Sequence, residues 1–169
     1  MMSPSSELSL QDVELALSSD YSFSQGYLFI DNDVMVTGTS IFAYESALPC
    51  YLRKFSTFYF DLGTTFSYVP SNSSRTLITM DDVSSVLYLN GCTLIAPADN
   101  RYNGIRFSRG RLILDNHLKF ENLNGITPNA NISKAITFGD GASSQNNIDV
   151  KVLAGAFVEV EGYLDYDPV

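Results

Sequence analysis

The stretches 25-QGYLFIDNDVMV-36 and 109-RGRLILDNHLKF-120 follow the same pattern position by position, with identical residues at four of the twelve positions. Each has apolar residues at alternate positions, then an Asp-Asn corner, then a second alternating run. The same frame, with a polar or glycine corner, recurs at 58–61, 87–90, 136–139 and 158–161. The corners at positions 31, 61, 90, 115, 139 and 161 recur every ~26 residues, a spacing typical of solenoids and other repeat architectures.

The local pattern within each repeat is that of strands, because apolar residues alternate with a period of two and β-branched and aromatic types dominate. Short corners inside a repeat and long returns between repeats fit coils that stack in parallel. The sequence therefore predicts an all-β chain folded as a right-handed parallel β-helix of about six coils. Residues 1–24 are expected to form an N-terminal cap segment, and residues 25–169 the parallel β-helix.

Stacked coils place like residues above like residues. One inward stack is expected to contain Ile30, Phe60, Leu89, Leu114, Phe138 and Val160. The corner residues Asp31, Asp61, Asn90 and Asp115 are expected to form a column that caps backbone N–H groups, with Asn90 interrupting the charge. A column of small turn residues is expected from Gly26, Ser56, Ser85 and Gly110. Neither an EF-hand loop nor a glycine-rich calcium repeat is present, so no metal is predicted.

The segment ahead of the first coil allows two interpretations. Ser9 with an acidic residue three positions later resembles a capping box, and Leu10, Val13 and Leu17 share one helical face. A short helix here would cap the first coil. The competing interpretation is a strand, because Leu8 and Leu10 alternate, as do Val13, Leu15 and Leu17.

Composition excludes several partners. The 169 residues carry 10 Lys plus Arg and 19 Asp plus Glu, a net charge of −9, which repels nucleic acid and anionic membrane surfaces. No stretch approaches ~18 consecutive apolar residues, so membrane insertion is not expected. Cys50 and Cys92 have no metal-binding spacing and are expected to be free thiols.

The segments 87-LYLNGCTLIAP-97 and 109-RGRLILDNHLKFEN-122 resemble repeats of bacterial right-handed parallel β-helix proteins, the pectin-lyase-like solenoid superfamily. That superfamily includes surface adhesins, phage tail spikes and polysaccharide-degrading enzymes. The resemblance covers roughly residues 25–166 and concerns architecture, since functions within it differ widely. It implies an extracellular or cell-surface setting and a carbohydrate or protein partner.

Catalytic motifs of the polysaccharide-cleaving members are mostly missing. Only the pair Asp81-Asp82 matches, and it precedes a strand. The sole histidine, His117, lies at a corner, where a turn residue is expected rather than a general base. Arg106, Arg109 and Arg111 cluster without a converging acidic group. The sequence therefore predicts no enzyme activity, no catalytic residue and no cofactor.

Outward-facing aromatic residues suggest a contact surface at Phe29, Tyr59 and Tyr88. The alternatives are coverage by the segment 39–54 or contact with a protein partner, a second copy or a glycan. A monomer or a closed, laterally packed homo-oligomer is expected. These features predict a non-catalytic β-solenoid module of a surface or secreted structural or adhesion protein. The alternative function is a carbohydrate-binding or carbohydrate-cleaving β-helix.

Overall fold

The computed structural model describes residues 6–69, 78–96, 105–122, 134–139, 143, 148–161 and 163–166. Within these residues the chain forms seventeen β-strands and no helix. In chain order the strands are β1 (Glu7–Leu17), β2 (Tyr21–Phe23), β3 (Tyr27–Gly38), β4 (Ile41–Tyr44), β5 (Cys50–Leu52), β6 (Thr57–Phe60), β7 (Thr65–Tyr68), β8 (Ile78–Met80), β9 (Val86–Asn90), β10 (Thr93–Ala96), β11 (Ile105–Phe107), β12 (Arg111–Asp115), β13 (His117–Asn122), β14 (Lys134–Phe138), β15 (Asp149–Val152), β16 (Phe157–Val160) and β17 (Tyr163–Tyr166).

The strands follow one another around three faces, and every pairing between turns is parallel. The first face contains the N-terminal halves of β1 and β3, then β5 and β8. The second face contains the C-terminal halves of β1 and β3, then β6, β9, β12 and β15. The third face contains β2, β4, β7, β10, β13 and β16, and a separate parallel sheet contains β11, β14 and β17. The predicted parallel β-solenoid is confirmed.

The number of coils differs from the predicted six. About four turns, between Tyr27 and Asn122, form the buried body, with β1 and β2 at one end and β14–β17 at the other. The predicted number of coils was wrong because it treated the six corner positions as equivalent. The corners in fact lie at different places around the turn. Asp31 ends a first-face strand, Asp115 ends a second-face strand, and position 161 follows a third-face strand.

The inward rows run along single faces. Val36, Phe60, Leu89, Leu114 and Val152 occupy successive positions of one second-face row. The predicted single stack is therefore only partly correct. Its remaining members have other neighbours: Ile30 pairs with Leu52, Phe138 with Phe107, and Val160 with Phe120.

The two matched stretches, 25–36 and 109–120, share a strand-corner-strand unit. The corner of each stretch, however, joins a different pair of faces. Asn32, inside β3, has a φ of 54° and joins the first face to the second. Asn116 has a φ of 55° and joins the second face to the third. Asn tolerates this left-handed conformation because its short polar side chain bonds locally. The internal repeat is therefore offset by one face.

The predicted N-terminal helix is wrong, and the competing strand interpretation is correct. β1 pairs in parallel with β3 over its whole length, with a register shift between Gln11 and Val13. Asp12, at this bulge, has a φ of 49°. The bulge moves the inward positions from even to odd numbers, which gives Leu10 and Val13 a spacing that mimics a helical face.

The segment 39–54 is not an insertion laid over the outer aromatic residues, because it supplies strands of the coil itself; it contacts Phe29 through Tyr51 and Arg53, which leaves that ring partly exposed. Phe42 and Tyr44 are buried residues of β4, and Tyr51 lies on β5. The rings of Tyr44 and Tyr68 stack between turns with centroids 5.4 Å apart. Cys50 and Cys92 are both buried and free.

The small turn residues belong to two corners rather than one. Ser56, Ser85 and Gly110 follow one another between the first and second faces, since the carbonyl of Ser56 accepts from Val86 N–H and that of Ser85 from Arg111 N–H. Gly26 lies instead at the corner that precedes the first face, with a φ of 94°. A Cβ atom there would overlap the backbone carbonyl oxygen of Ser6.

This crowding predicts unequal costs for two alanine substitutions. Gly155 has a similar φ, 85°, but a Cβ there meets no atom within 4 Å. Gly155→Ala should cost about 1–2 kcal/mol of unfolding free energy, from backbone conformation alone. Gly26→Ala should cost at least about 1 kcal/mol more, because β1 must shift. Urea unfolding of both variants checks this, and equal costs would contradict the close approach of β1.

Candidate functional site

The three outward aromatic residues predicted as a contact surface lie on two faces. Tyr59 and Tyr88 are neighbours on the second face, with ring centroids 4.8 Å apart and planes at 87°. Phe29 lies on the first face, where its register partners are Ser9 and Tyr51. The structure therefore brings two of the residues together and separates the third.

Phe29 belongs to a group of three aromatic rings and one guanidinium on the first face. We call this group the first-face cluster; it contains Tyr27, Phe29, Tyr51 and Arg53. Phe29 and Tyr51 stack with centroids 5.3 Å apart and planes at 12°. Tyr27 lies 6.2 Å from Phe29 and 6.3 Å from Tyr51. The guanidinium of Arg53 lies 4.4 Å from the centroid of Phe29, within cation–π distance. All three rings are partly exposed.

Sequence reasoning missed Tyr51, although a signal for it was present. Cys50, Tyr51 and Leu52 repeat the in-out-in alternation of Leu28, Phe29 and Ile30. The run is only three residues long, so its pairing partner had to be known before it could be recognised as a strand.

On the second face, Tyr59 and Tyr88 join a network that we call the tyrosine–carboxylate ladder. It contains Tyr59, Asp61, Tyr88, Asn90, Asp115 and Asn116. The hydroxyl of Tyr59 donates to Asp61 Oδ1 at 3.0 Å. Asn90 Nδ2 lies 2.8 Å from the same oxygen and 2.5 Å from the Tyr59 hydroxyl, and donates to both. Asn90 thus links two successive turns.

The next turn extends the ladder. The hydroxyl of Tyr88 donates to Asp115 Oδ2 at 2.7 Å, and Asn116 Nδ2 donates to Asn90 Oδ1 at 2.6 Å. Asp115 Oδ1 also accepts the backbone N–H of Asn116 at 2.8 Å. The predicted column of Asp61, Asn90 and Asp115 is confirmed. Its capping role is confirmed for Asp61, which accepts from Leu62 N–H, and for Asp115, whereas the hydrogen bonds of the Asn90 side chain given above are to other side chains. Asp31 is not a member, because it ends a first-face strand and accepts from Ser9.

The ladder shifts the titration of its members. The hydrogen bond to Asp115, together with burial, raises the pKa of Tyr88 to about 12. Burial acts to raise the pKa of Asp61, but hydrogen bonds from Leu62 N–H, Tyr59 and Asn90 outweigh it and lower the pKa overall. Asp61 therefore stabilises the fold above its unfolded pKa, and that contribution is lost as the pH falls through its folded pKa.

The candidate catalytic acids and histidine serve turns and surface pairs. Asp82 Oδ1 accepts from the backbone and the hydroxyl of Ser84, and the carboxylate of Asp81 lies 3.8 Å from Arg53. His117 is exposed on the third face, where its Nε2 lies 3.7 Å from Glu159. Within the described residues, His117 does not meet the Asp81-Asp82 pair.

The arginine residues are also engaged separately. Arg109 donates to the backbone oxygen of Asp81 at 3.0 Å, and Arg111 pairs with Asp149 at 2.7 Å. The side chain of Arg106 lies outside the described residues. In the part of the chain that the structure describes, no group of three or more His, Cys, Asp or Glu residues is placed to hold a metal ion.

Comparisons with protein-family models, with curated proteins and with solved structures found no match. No helix among the described residues has the length and apolar character needed to cross a membrane. The features of this chain that bear on function are therefore those of the solenoid's own surface.

The ladder predicts a pH-dependent effect at Asn90. Asn90→Ala removes the bridging hydrogen bonds and should cost about 1–3 kcal/mol of unfolding free energy. Asn90→Asp should cost more at pH 7, because a third carboxylate then lies between Asp61 and Asp115. The neighbouring carboxylates raise the pKa of the new carboxyl group in the folded state. The unfolding free energy that Asn90→Asp loses beyond Asn90→Ala should therefore be recovered as the pH falls toward ~4 and this group becomes protonated. Urea unfolding at both pH values checks this, and a constant difference between the variants would contradict the ladder.

Proposed function

We propose that this chain is a non-catalytic β-solenoid module of a surface or secreted structural or adhesion protein. The extracellular or cell-surface setting and the right-handed coil are part of this proposal, and both rest on the resemblance of the repeats. The observation that carries it is the first-face cluster, where partly exposed rings are held on a stack of parallel strands.

The strands preorganise the cluster. Phe29 and Tyr51 are direct register partners, and their neighbours Leu28, Cys50 and Leu52 are buried in the core. The ring positions are therefore set before any partner arrives, which lowers the entropy lost on binding. Aromatic residues and Arg are enriched at the centres of protein contact surfaces, and Arg53 lies over Phe29.

The second face supports binding rather than catalysis. The polar atoms of Tyr59, Asp61 and Asn90 bond to one another, which fixes their orientation. The histidine of the chain, His117, lies on the third face beside Glu159 and not beside this network. General acid–base chemistry needs a titrating group within reach of the substrate proton. The ladder instead offers fixed acceptors beside two rings.

A carbohydrate-binding role is the second candidate, and the ladder is the observation that favours it. Tyr88 presents a ring, and the carboxylate of Asp115 and the amide of Asn90 lie within the same network. A ring with adjacent polar groups can stack on a sugar face and bond its hydroxyl groups. The partner on the outer surface is thus a protein, a second copy in a closed lateral assembly, or a glycan.

Two double variants separate these roles. Particles coated with the chain are scored for adhesion to one another, and the soluble chain is tested on a glycan array. Phe29→Ser with Tyr51→Ser should reduce particle adhesion by about tenfold or more, because it removes the stacked pair. Thr65→Ala with Thr93→Ala, a partly exposed register pair on the third face, is the control and should have no effect.

Other results would favour the carbohydrate role or contradict the role of the first-face cluster. Array binding that is lost in Tyr59→Ser with Tyr88→Ser would support the carbohydrate role. Equal adhesion of the wild type and of all variants, with thermal melts showing that each is folded, would contradict the first-face cluster as a contact surface.

A further inference from the structure

The N-terminal end of the solenoid contains an apolar cavity of about 270 Å³. Its lining is formed by the inward side chains of the first turn and by two residues of the turn stacked on it: Leu8, Leu10, Leu15, Leu17, Tyr21, Phe23, Leu28 and Phe42. In the middle of the solenoid the equivalent space is filled by the next turn. The end cavity therefore exposes apolar side chains of the kind that a stacked turn covers elsewhere.

One edge of β1 borders this cavity. β1 pairs with β3, and within the described residues no strand pairs with its opposite edge. The backbone N–H and C=O groups of that edge alternate from Glu7 to Gln11 and again from Val13 to Leu17, on either side of the bulge at Asp12. Such an edge is a template for an added strand.

The outer side of the first turn, which we call the rim of the cavity, is acidic. Glu7, Asp12, Glu14 and Asp20 are all exposed on the first turn. No Lys or Arg occurs before Arg53, whereas residues 1–52 contain seven acidic residues: Glu7, Asp12, Glu14, Asp20, Asp31, Asp33 and Glu45. The net charge of −9 is thus concentrated toward this end of the chain.

Neutral donors hold three of the four carboxylates of the first turn in place. Thr37 donates to Glu14 at 2.9 Å, Asn32 donates to Asp12 at 3.1 Å, and the backbone N–H of Ile41 donates to Asp20 at 2.9 Å. These bonds orient the carboxylates without neutralising them. The rim therefore combines fixed negative charge with an apolar interior.

We propose that the N-terminal end binds a basic polypeptide segment, which adds to β1 as an extended strand. Inward and outward positions alternate along a strand, so on each side of the bulge at Asp12 the segment must alternate apolar residues with Lys or Arg. Its apolar side chains would contact Leu8, Leu10 and Leu15 inside the cavity. Its basic side chains would lie beside Glu7 and Glu14 on the outside, where opposite charges on neighbouring strands are favourable.

A second copy matches the acidic first turn less well than a basic segment does. The described strands at the far end carry Asp149, Glu159 and Glu161 together with Lys151, so both ends of the described solenoid are negative. If one copy continued the stack of another, the register would place Glu14 beside Lys151 but Asp20 beside Glu159. Like charges on neighbouring strands are destabilising, whereas a segment that is basic throughout avoids them.

The test uses an eleven-residue peptide of alternating lysine and valine with one glycine in the middle to match the bulge at Asp12, labelled for fluorescence anisotropy. The full chain should bind it with micromolar affinity and lose affinity as salt is added. A peptide of the same composition with its lysines and valines in two blocks should bind at least about tenfold more weakly, because it cannot place all valines inward. A glutamate–valine peptide should not bind.

Charge-reversed variants locate the site. Glu7→Lys with Glu14→Lys should weaken peptide binding by about tenfold or more. Glu159→Lys with Glu161→Lys changes the net charge equally at the other end and should leave binding unchanged. All four positions are exposed, so both variants should fold, which circular dichroism verifies.

Three results would overturn the proposal. Absence of binding at millimolar peptide would do so directly. Equal loss in both double variants, or equal binding of the block peptide, would show attraction to diffuse charge alone. Concentration-dependent growth of the chain by itself in sedimentation, abolished by Glu7→Lys with Glu14→Lys, would show that a second copy occupies the end.

Discussion

Parallel hydrogen bonding between successive turns is the constraint on which the rest of this structure depends. Each strand takes its register from the strand one turn earlier. Residues of like role therefore lie in rows, and successive residues of a row are about 4.8 Å apart. On the second face this places Val36, Phe60 and Leu89 in one inward row. The same register places Met35, Tyr59 and Tyr88 in the adjacent outward row. Core and surface are therefore set together.

This stacking has different consequences inside and outside. Inside, it repeats apolar and aromatic contacts, as in the stacked rings of Tyr44 and Tyr68. Outside, it brings like polar groups together, and the chain must prevent acidic columns from repelling themselves. Asn90 does this because it separates Asp61 from Asp115. Its amide nitrogen donates to Asp61, and its amide oxygen accepts from Asn116, the residue after Asp115. At the ends the stacking stops, which leaves the cavity and acidic rim beside β1.

The sequence was sufficient to predict strands, parallel coils and the pairing of Tyr59 with Tyr88. Period-two alternation indicates the strands, and the repeat of the corners, with long returns between repeats, indicates parallel stacking of like positions. It was not sufficient to predict the face on which each strand lies. Asn32 and Asn116 make similar left-handed corners at different vertices, so the repeats match while offset by one strand. That offset misplaced Phe29, and the bulge at Asp12 made a strand resemble a helix. The N-terminal cavity was invisible for the same reason, because it exists only if residues 7–17 are a strand.

The register of the outward rows is the central claim, and nuclear Overhauser contacts between side chains test it most directly. The Met35 methyl should contact the ring of Tyr59, the ring of Tyr59 that of Tyr88, and Tyr88 the methyl groups of Ile113. Phe29 should instead contact Tyr51 and give no contact with Tyr59. A contact between Phe29 and Tyr59, with none between Met35 and Tyr59, would contradict the three-faced register.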